Sequence, residues 1–482
     1  MDGIGPKKAI QVRYRLGISG NIKIKELTKY QIDKIEQMIG QDHVVHWELK
    51  RGERADIERF ISISCYRGIR HQDGLPLRVP RTQSALTLLK PKLNLSPESD
   101  SPNSTQYTTS VMNSKLIYTA TILVALNFLI SPAVYNLHAP PSIPGSHDDL
   151  HSAKIVGVTG ALGPESIAFD SDGRGPYAGV ADGRILRWEG DGRGWSEFAV
   201  TTSQRKECIR PFAPEMEHVC GRPLGLRFHK KTGELYIADA YLGLKVVGPD
   251  GGLATDLVSE VEGQPLRFTN DMDIDEDKDV IYFTDTSMSF QRRQFMSSIL
   301  SGDKTGRLLK YNISNKEVTI LLEGLAFANG VALSKDRSFV LVAETTTCRI
   351  LRLWLHGPNV GKVDVFAELP GFPDNVRRNP KGEFWVALHS KKGPLSHFAV
   401  SNTWVGKTLL KLPFSFKQLH SLLVGGKAHA TAIKLSEDGA VLEVLEDCEG
   451  KNLKFISEVE EKDGKLWIGS VLMPFIGIYN LQ

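Results

Sequence analysis

The 482-residue chain holds 59 Lys+Arg and 56 Asp+Glu, a net charge of only +3, and that near-balance hides two unlike parts. Residues 1–90 carry 17 basic and 10 acidic side chains, net +7, whereas the remainder carries 42 and 46, net −4. This division excludes one uniform domain and implies separate partners for the two parts.

In chain order, Gly3 to Pro6 precede Lys7 to Leu16, where apolar and basic residues alternate at helical spacing, and Pro6 suits a first helical turn. A helix beginning behind a glycine turn presents backbone N–H groups to phosphate. Thr28 caps a predicted helix over 29–39, Arg51 to Tyr66 form another, and Arg67, Arg70, His71, Arg78 and Arg81 cluster in a Gly-rich stretch. These features read either as a solvated basic face or as an RNA-binding one. Gly3-Ile-Gly-Pro-Lys-Lys-Ala9, Glu26-Leu-Thr28, Cys65-Tyr-Arg-Gly-Ile-Arg-His71 and Gly74-Leu-Pro-Leu-Arg78 resemble small-subunit ribosomal protein thirteen of the bacterial and organellar type. The resemblance covers 2–82 and implies a small all-α segment that contacts ribosomal RNA through Lys7, Lys8, Arg67, Arg70, His71 and Arg78. It departs from the family's pattern before Met1 and after Arg81.

Residues 83–111 read as a linker, because Ser96 to Ser110 are rich in Ser, Thr, Pro and Asn and poor in apolar groups. A second start follows at 112–135: Met112 and Lys115 form a short positive region, Leu116 to Ile130 are apolar, and Ser131, Pro132 and Ala133 are small. The apolar run is shorter than the roughly 20 residues of a spanning helix, so a signal peptide or membrane anchor is expected, with membrane association through 115–135.

Residues 150–482 carry short strand-like runs instead of helical periodicity. They begin at Pro176, Leu235, Ile281, Val340, Phe384 and Leu466, at intervals of 59, 46, 59, 44 and 82, each behind a polar turn. Spacing near 50 predicts an all-β six-bladed propeller. Closure is expected from a strand near Lys154 to Val158 pairing with one near Phe475 to Tyr479. The long interval contains Pro394 to Leu423, aromatic and partly helical in pattern, expected to lie over one face as a lid or membrane-facing cap, or to be a plain structural insertion. Cys208 and Cys220 flank a Pro-containing loop and are expected to close it as a disulfide, Cys348 falls in strand-like sequence, and Cys448 lies in a polar turn. Asn312-Ile-Ser314 is a glycosylation acceptor.

One pattern points to chemistry. Glu165, Asn270 and Asn329 each stand 11 residues before a strand-run start, and Asp374 and Asn375 fall one or two residues later in the fifth unit. Equivalent positions converge on the channel of a propeller, and carboxylate and amide oxygens suit a hard cation such as Ca²⁺. The same residue types also form turns, as in Asn329-Gly330 and Pro373-Asp374.

Gly163-Pro-Glu-Ser166, Cys220-Gly-Arg-Pro-Leu-Gly225, Asp303-Lys-Thr-Gly-Arg-Leu308, Phe339-Val-Leu-Val-Ala-Glu344 and Gly371-Phe-Pro-Asp-Asn375 resemble the plant strictosidine-synthase-like proteins, akin to adipocyte plasma membrane-associated protein and, more distantly, to paraoxonases. The resemblance implies a calcium ligand set of Glu165, Asn270, Asn329, Asp374 and Asn375. It also implies that Leu453 stands where true strictosidine synthases carry their acid/base glutamate, so that condensation activity is lost. The paraoxonase histidine pair has no counterpart around Asp239 to Leu244, and His229, His389 and His429 are left without a role. The expected function is calcium-dependent hydrolysis of an ester or lactone, with a small-molecule substrate at the channel. The alternatives are a non-catalytic ligand-binding or membrane-associated scaffold and strictosidine-synthase-type alkaloid chemistry. The expected location is the secretory pathway, vacuole or endoplasmic reticulum for the propeller, and the ribosome or mitochondrion for the N-terminal segment.

Overall fold

A computed structural model describes residues 142–158, 160–208, 216–425 and 427–481. The N-terminal RNA-contact residues, the linker and the apolar segment 112–135 lie outside the described residues. The rest is a six-bladed β-propeller. Its inner strands are Ile167–Ala168, Pro223–Phe228, Thr269–Asp275, Ala328–Leu333, Gly371–Arg378 and Glu458–Lys462. Each neighbours the next and the last returns to the first, which closes the ring.

The apolar runs singled out above are the second strands of their blades. Leu235–Asp239, Val280–Asp285 and Phe339–Glu344 are buried at every position, because each blade is covered on both faces by its neighbours. Outer strands such as Val318–Leu325 keep exposed positions. Six apolar clusters fill the six blade interfaces; Tyr236 meets Met272 and Phe283 between blades 2 and 3, for example, and Leu341 meets Val386 between blades 4 and 5. In the first blade the strand is Tyr177–Gly179 and begins one residue after Pro176, since proline has no N–H to give to a ladder. Cys348 lies in the turn after Phe339–Glu344 rather than in a strand.

Closure joins the ends of the described chain. Lys154–Gly157 pairs antiparallel with Phe475–Asn480, Lys154 opposite Ile478 and Gly157 opposite Phe475, so the last blade takes one strand from the first part of the chain and exposes no inner edge. Cys208 and Cys220 are joined in a disulfide, which ties the loop to helix α1 (Glu217–Cys220). Asn312 lies partly exposed at a hairpin turn, its Oδ1 accepting from the N–H groups of Ser314 and Asn315. Helices α2 (Phe295–Ser301), α3 (Pro394–Ser401), α4 (Thr403–Lys411) and α5 (Phe416–Leu423) pack together through Met296, Leu300, Ala399 and Leu419. Among the described residues no helix is long and apolar enough to cross a membrane.

The channel is blocked by charge. Arg377 Nη1 and Nη2 donate to Asp271 at 2.5 and 2.9 Å, and Nη2 also donates to Glu458 at 2.5 Å, joining blades 3, 5 and 6. All three groups are withdrawn from solvent. The backbone adds donors, Val331 N to Asp271 at 2.8 Å and Ile167 N to Glu458 at 2.9 Å. Removing the cation from such a cluster leaves two buried carboxylates uncompensated. Arg377→Met is therefore expected to lose about 3–5 kcal/mol in denaturant unfolding. A loss below about 1 kcal/mol, the range of an exposed pair, contradicts this reading.

Candidate metal centre and apolar cavity

A repeated acid and the residue after it build the site. Asp285, at the end of the second strand of blade 3, accepts from Phe268 N at 3.0 Å, and Glu344 in blade 4 accepts from Ala326 N at 2.8 Å. Each carboxylate thereby fixes the loop that enters the inner strand of its own blade. The next residue then orients the amide on that strand: Asn270 Nδ2 donates to Thr286 Oγ1 at 3.0 Å, and Asn329 Nδ2 donates to Thr345 Oγ1 at 3.0 Å. Both hydroxyls in turn donate to a carbonyl of the following blade, Thr286 to Ala328 O and Thr345 to Pro373 O, each at 2.7 Å. Gly330 allows the close approach of blades 4 and 5, because a Cβ there would lie 2.6 Å from Asp374 O.

This anchoring spends the amide N–H groups and leaves the oxygens over. The Oδ1 atoms of Asn270, Asn329 and Asn375 are buried and have no hydrogen-bond partner. Asn329 Nδ2 also donates to Asp374 Oδ1 at 2.8 Å, and Asn375 Nδ2 donates to Glu458 Oε2 at 2.9 Å. Buried acceptors without donors are rare in folded proteins and require a partner. Glu165, Asn270, Asn329 and Asp374 all line one cavity; Asn375, fully buried, is not among its lining residues.

Electrostatics point the same way. Burial pushes the carboxyl of Glu165 up to about 7, opposed by Arg222, whose Nη2 lies 3.4 Å away. Burial and then the neighbouring Glu165 push Asp374 well above the usual carboxylate range. Two carboxyl groups held against their preference for ionisation, beside three orphaned amide oxygens, form an all-oxygen donor set that fits a hard divalent cation.

Above the donors the cavity, about 110 Å³, is walled by Leu224, Phe268, Phe327 and Phe372 from the blades and by Phe295, Met296, Val400 and Leu423 from the helices. Phe327 holds a left-handed backbone, φ 63°, two residues before Asn329, an unusual conformation for an aromatic residue. Arg292 also reaches the cavity, held by Glu217 of α1 at 2.7 Å, and Glu217 accepts from Tyr241 Oη at 2.9 Å.

Two histidines face the same space. His389 Nε2 and His420 Nε2 are 3.0 Å apart, so one ring donates to the other. His389 stacks on Phe455 at 5.7 Å, and His420 meets the edge of that ring at 5.0 Å. Burial pushes His389 down to about 3 and His420 to about 4, so the pair is neutral near neutral pH. Sequence reasoning left His389 without a role and did not single out His420. His389 follows its strand run at the same phase as Thr286 and Thr345, which was a usable signal; His420 lies on α5 and had none. His229 and His429, which the sequence also left without a role, are structural. His429 Nε2 accepts from Lys391 N at 2.8 Å, and His229 binds Thr232 within its own turn.

Leu453 does not line the cavity. It is buried among Trp385, Ile456 and Leu466 at the interface of blades 5 and 6, so the position compared with a catalytic glutamate reports on core packing. Glu165 and Asp374 are the only carboxylates among the lining residues, and both belong to the donor set. Asp271, adjacent to Asn270, is engaged by Arg377.

Residues 270–358 match the family model described as Strictosidine synthase, 147–188 the one described as Strictosidine synthase-like, N-terminal, and 1–86 the one described as Ribosomal protein S13/S18. Protein STRICTOSIDINE SYNTHASE-LIKE 10 of Arabidopsis thaliana is 71% identical over 345 residues, 72% of this chain and 92% of that protein. Adipocyte plasma membrane-associated protein of Salmo salar is 38% identical over 358 residues, 72% of this chain and 83% of that protein. Among solved structures, a gluconolactonase from Xanthomonas campestris aligns with a TM-score of 0.45 and 14% identity over 72% of this chain and 97% of its own. The calcium-binding protein regucalcin from Agrobacterium tumefaciens aligns with 0.42 and 13% over 70% and 94%. Likeness at these values carries no argument about activity. Identity of 71% over 345 residues decides kinship: the chain, whose first 86 residues match the ribosomal model, belongs to the strictosidine synthase-like family.

Proposed function

We propose that the propeller is a calcium-dependent hydrolase of esters or lactones, acting on a small and largely apolar substrate. The observation that carries this reading is a set of donorless acceptor oxygens at the floor of an apolar cavity that also holds a neutral histidine pair. Glu165, Asn270, Asn329, Asp374 and Asn375 would hold the ion. Bound there, Ca²⁺ supplies polarisation of a substrate carbonyl and stabilises the charge that develops on its oxygen.

The remaining chemistry belongs to the chain's own groups. The phenylalanines and aliphatic side chains of the wall bind the apolar part of the substrate and keep bulk water away. One ring of the pair donates its Nε2–H to the other, so the donating ring keeps an Nδ1 lone pair for the proton of an attacking water; the mutual hydrogen bond lets the second ring share a charge that burial otherwise disfavours, and the proton then passes to the leaving oxygen. Arg292, fixed by Glu217, supplies a cation on the wall for the carboxylate that hydrolysis releases. Condensation of the strictosidine type is disfavoured, because no cavity carboxylate is free of the donor set to act as its acid and base.

Hydrolysis of aryl esters and lactones is therefore expected to stop with chelator and to fall in Glu165→Gln and Asn270→Ala. His389→Gln is expected to lower kcat by about 10²–10⁴ while leaving cation binding intact. Activity indifferent to chelator and to both donor substitutions contradicts the proposal; cation binding without any hydrolysis leaves a ligand-binding propeller.

Stability gives a second test. The folded value of about 7 for Glu165 lies above its ordinary 4.5, so the metal-free fold binds that proton more tightly than the unfolded chain does. The resulting stabilisation is complete below about 4.5 and is lost as pH rises through 7. Chelated protein is thus expected to lose up to about 3 kcal/mol between pH 5 and pH 8 in denaturant unfolding, with Ca²⁺ restoring the loss at pH 8. Equal stability at the two pH values without cation contradicts it.

A further inference from the structure

Helices α3, α4 and α5 have two faces that the hydrolase reading does not explain together. Their inner face packs on α2 and closes the apolar cavity. Their outer face carries Phe398, Trp404, Leu412 and Phe416 at 52%, 68%, 42% and 51% exposure. Every large aromatic side chain that stands exposed among the described residues is on these helices. Scattered exposed aliphatics are ordinary on a protein surface, but aromatics gathered on one element mark an interaction site.

Charge identifies the partner. No Asp or Glu occurs between Glu383 and Glu437, a stretch of more than fifty residues in a region that is net negative elsewhere. Lys407, Lys411, Lys417 and Lys427 of that stretch are exposed. On α4, Trp404, Lys407, Thr408 and Lys411 follow one another at helical spacing on the exposed side, while Val405, Leu409 and Leu410 turn inward. An aromatic ring flanked by lysines on a helix too short to span is the pattern of an element that lies in the headgroup layer.

We infer that the α3–α5 cap docks on an anionic lipid surface, with Phe398, Trp404 and Phe416 entering the interface and Lys407, Lys411 and Lys417 meeting the headgroups. The cap is also the roof of the cavity, since Ser396, Val400, His420 and Leu423 line it from the same helices. Docking therefore brings the apolar cavity against the region where apolar molecules partition. The residues of this surface are other than 115–135, and the inference does not rest on the identity of the reaction.

The test uses the full-length chain and vesicles of phosphatidylcholine with or without phosphatidylserine. Binding is expected to require the anionic lipid and to weaken on the order of 100-fold when Lys407, Lys411 and Lys417 are all changed to Gln. Phe398→Ser with Trp404→Ser is expected to weaken it at least about 10-fold. Val360→Ser, at an exposed position on a different blade, is expected to change nothing. Brominated acyl chains are expected to quench a fluorescence component that disappears in Trp404→Phe. No vesicle binding at either composition overturns the inference and leaves the aromatic face to a protein partner. Binding that is equal in wild type and cap variants, with no quenching assignable to Trp404, also overturns it and assigns attachment to another part of the chain. Hydrolysis of a soluble ester by the same variants distinguishes this outcome from failure of the catalytic reading, because none of the substituted residues lines the cavity.

Discussion

Closing six inner strands into a ring brings polar groups from separate blades to an axis that water scarcely reaches, and what happens to those buried groups decides the rest. At one level the solution lies within the chain: Arg377 spans Asp271 and Glu458, Val331 N shares an Asp271 oxygen with it, and Ile167 N takes the Glu458 oxygen that Arg377 leaves free. At the adjoining level it does not. Glu165 and Asp374 are held with raised ionisation constants, and three amide oxygens have no donor. The fold thus satisfies one buried layer through its own cation and leaves the next rich in acceptors, which is the layer where the proposed cation would act.

The local device behind that layer is short. An acid at the end of a second strand fastens the loop before the inner strand, and a threonine after the acid turns the asparagine so that its oxygen, not its nitrogen, points away from the protein's own donors. Blade 2 has the acid, Asp239, which takes Arg222 N, but Ala240 follows it and Leu224 occupies the inner strand; there the loop is fixed and the wall is apolar. Blade 5 has His389 at the phase of the threonines. One scaffold position thus yields an amide anchor, an apolar wall or a candidate base, according to the residue placed on it.

Much of this was legible in the sequence because it depends on period and phase. Buried, mostly apolar second strands recur where blades cover each other, so the run from Leu235 stood out at its observed start, and the shared offset of Glu165, Asn270 and Asn329 marked the inner-strand starts. What depends on tertiary placement was not legible. His420 reaches His389 only because α5 folds back over the channel, and nothing in local spacing pairs residues 31 apart. Resemblance sets Leu453 at the place of a catalytic glutamate, two residues before Phe455. Yet the chain turns through a left-handed residue at Phe455, which meets the histidines while Leu453 enters the core between blades.

The proposed chemistry depends on the cation. The most direct measurement is a crystal structure of the protein grown with Ca²⁺, read for anomalous signal on the channel axis. One ion is predicted, with oxygens of Glu165, Asn270, Asn329, Asp374 and Asn375 at about 2.3–2.6 Å. A well-ordered site holding only water, with those side chains keeping one another as partners, would contradict it.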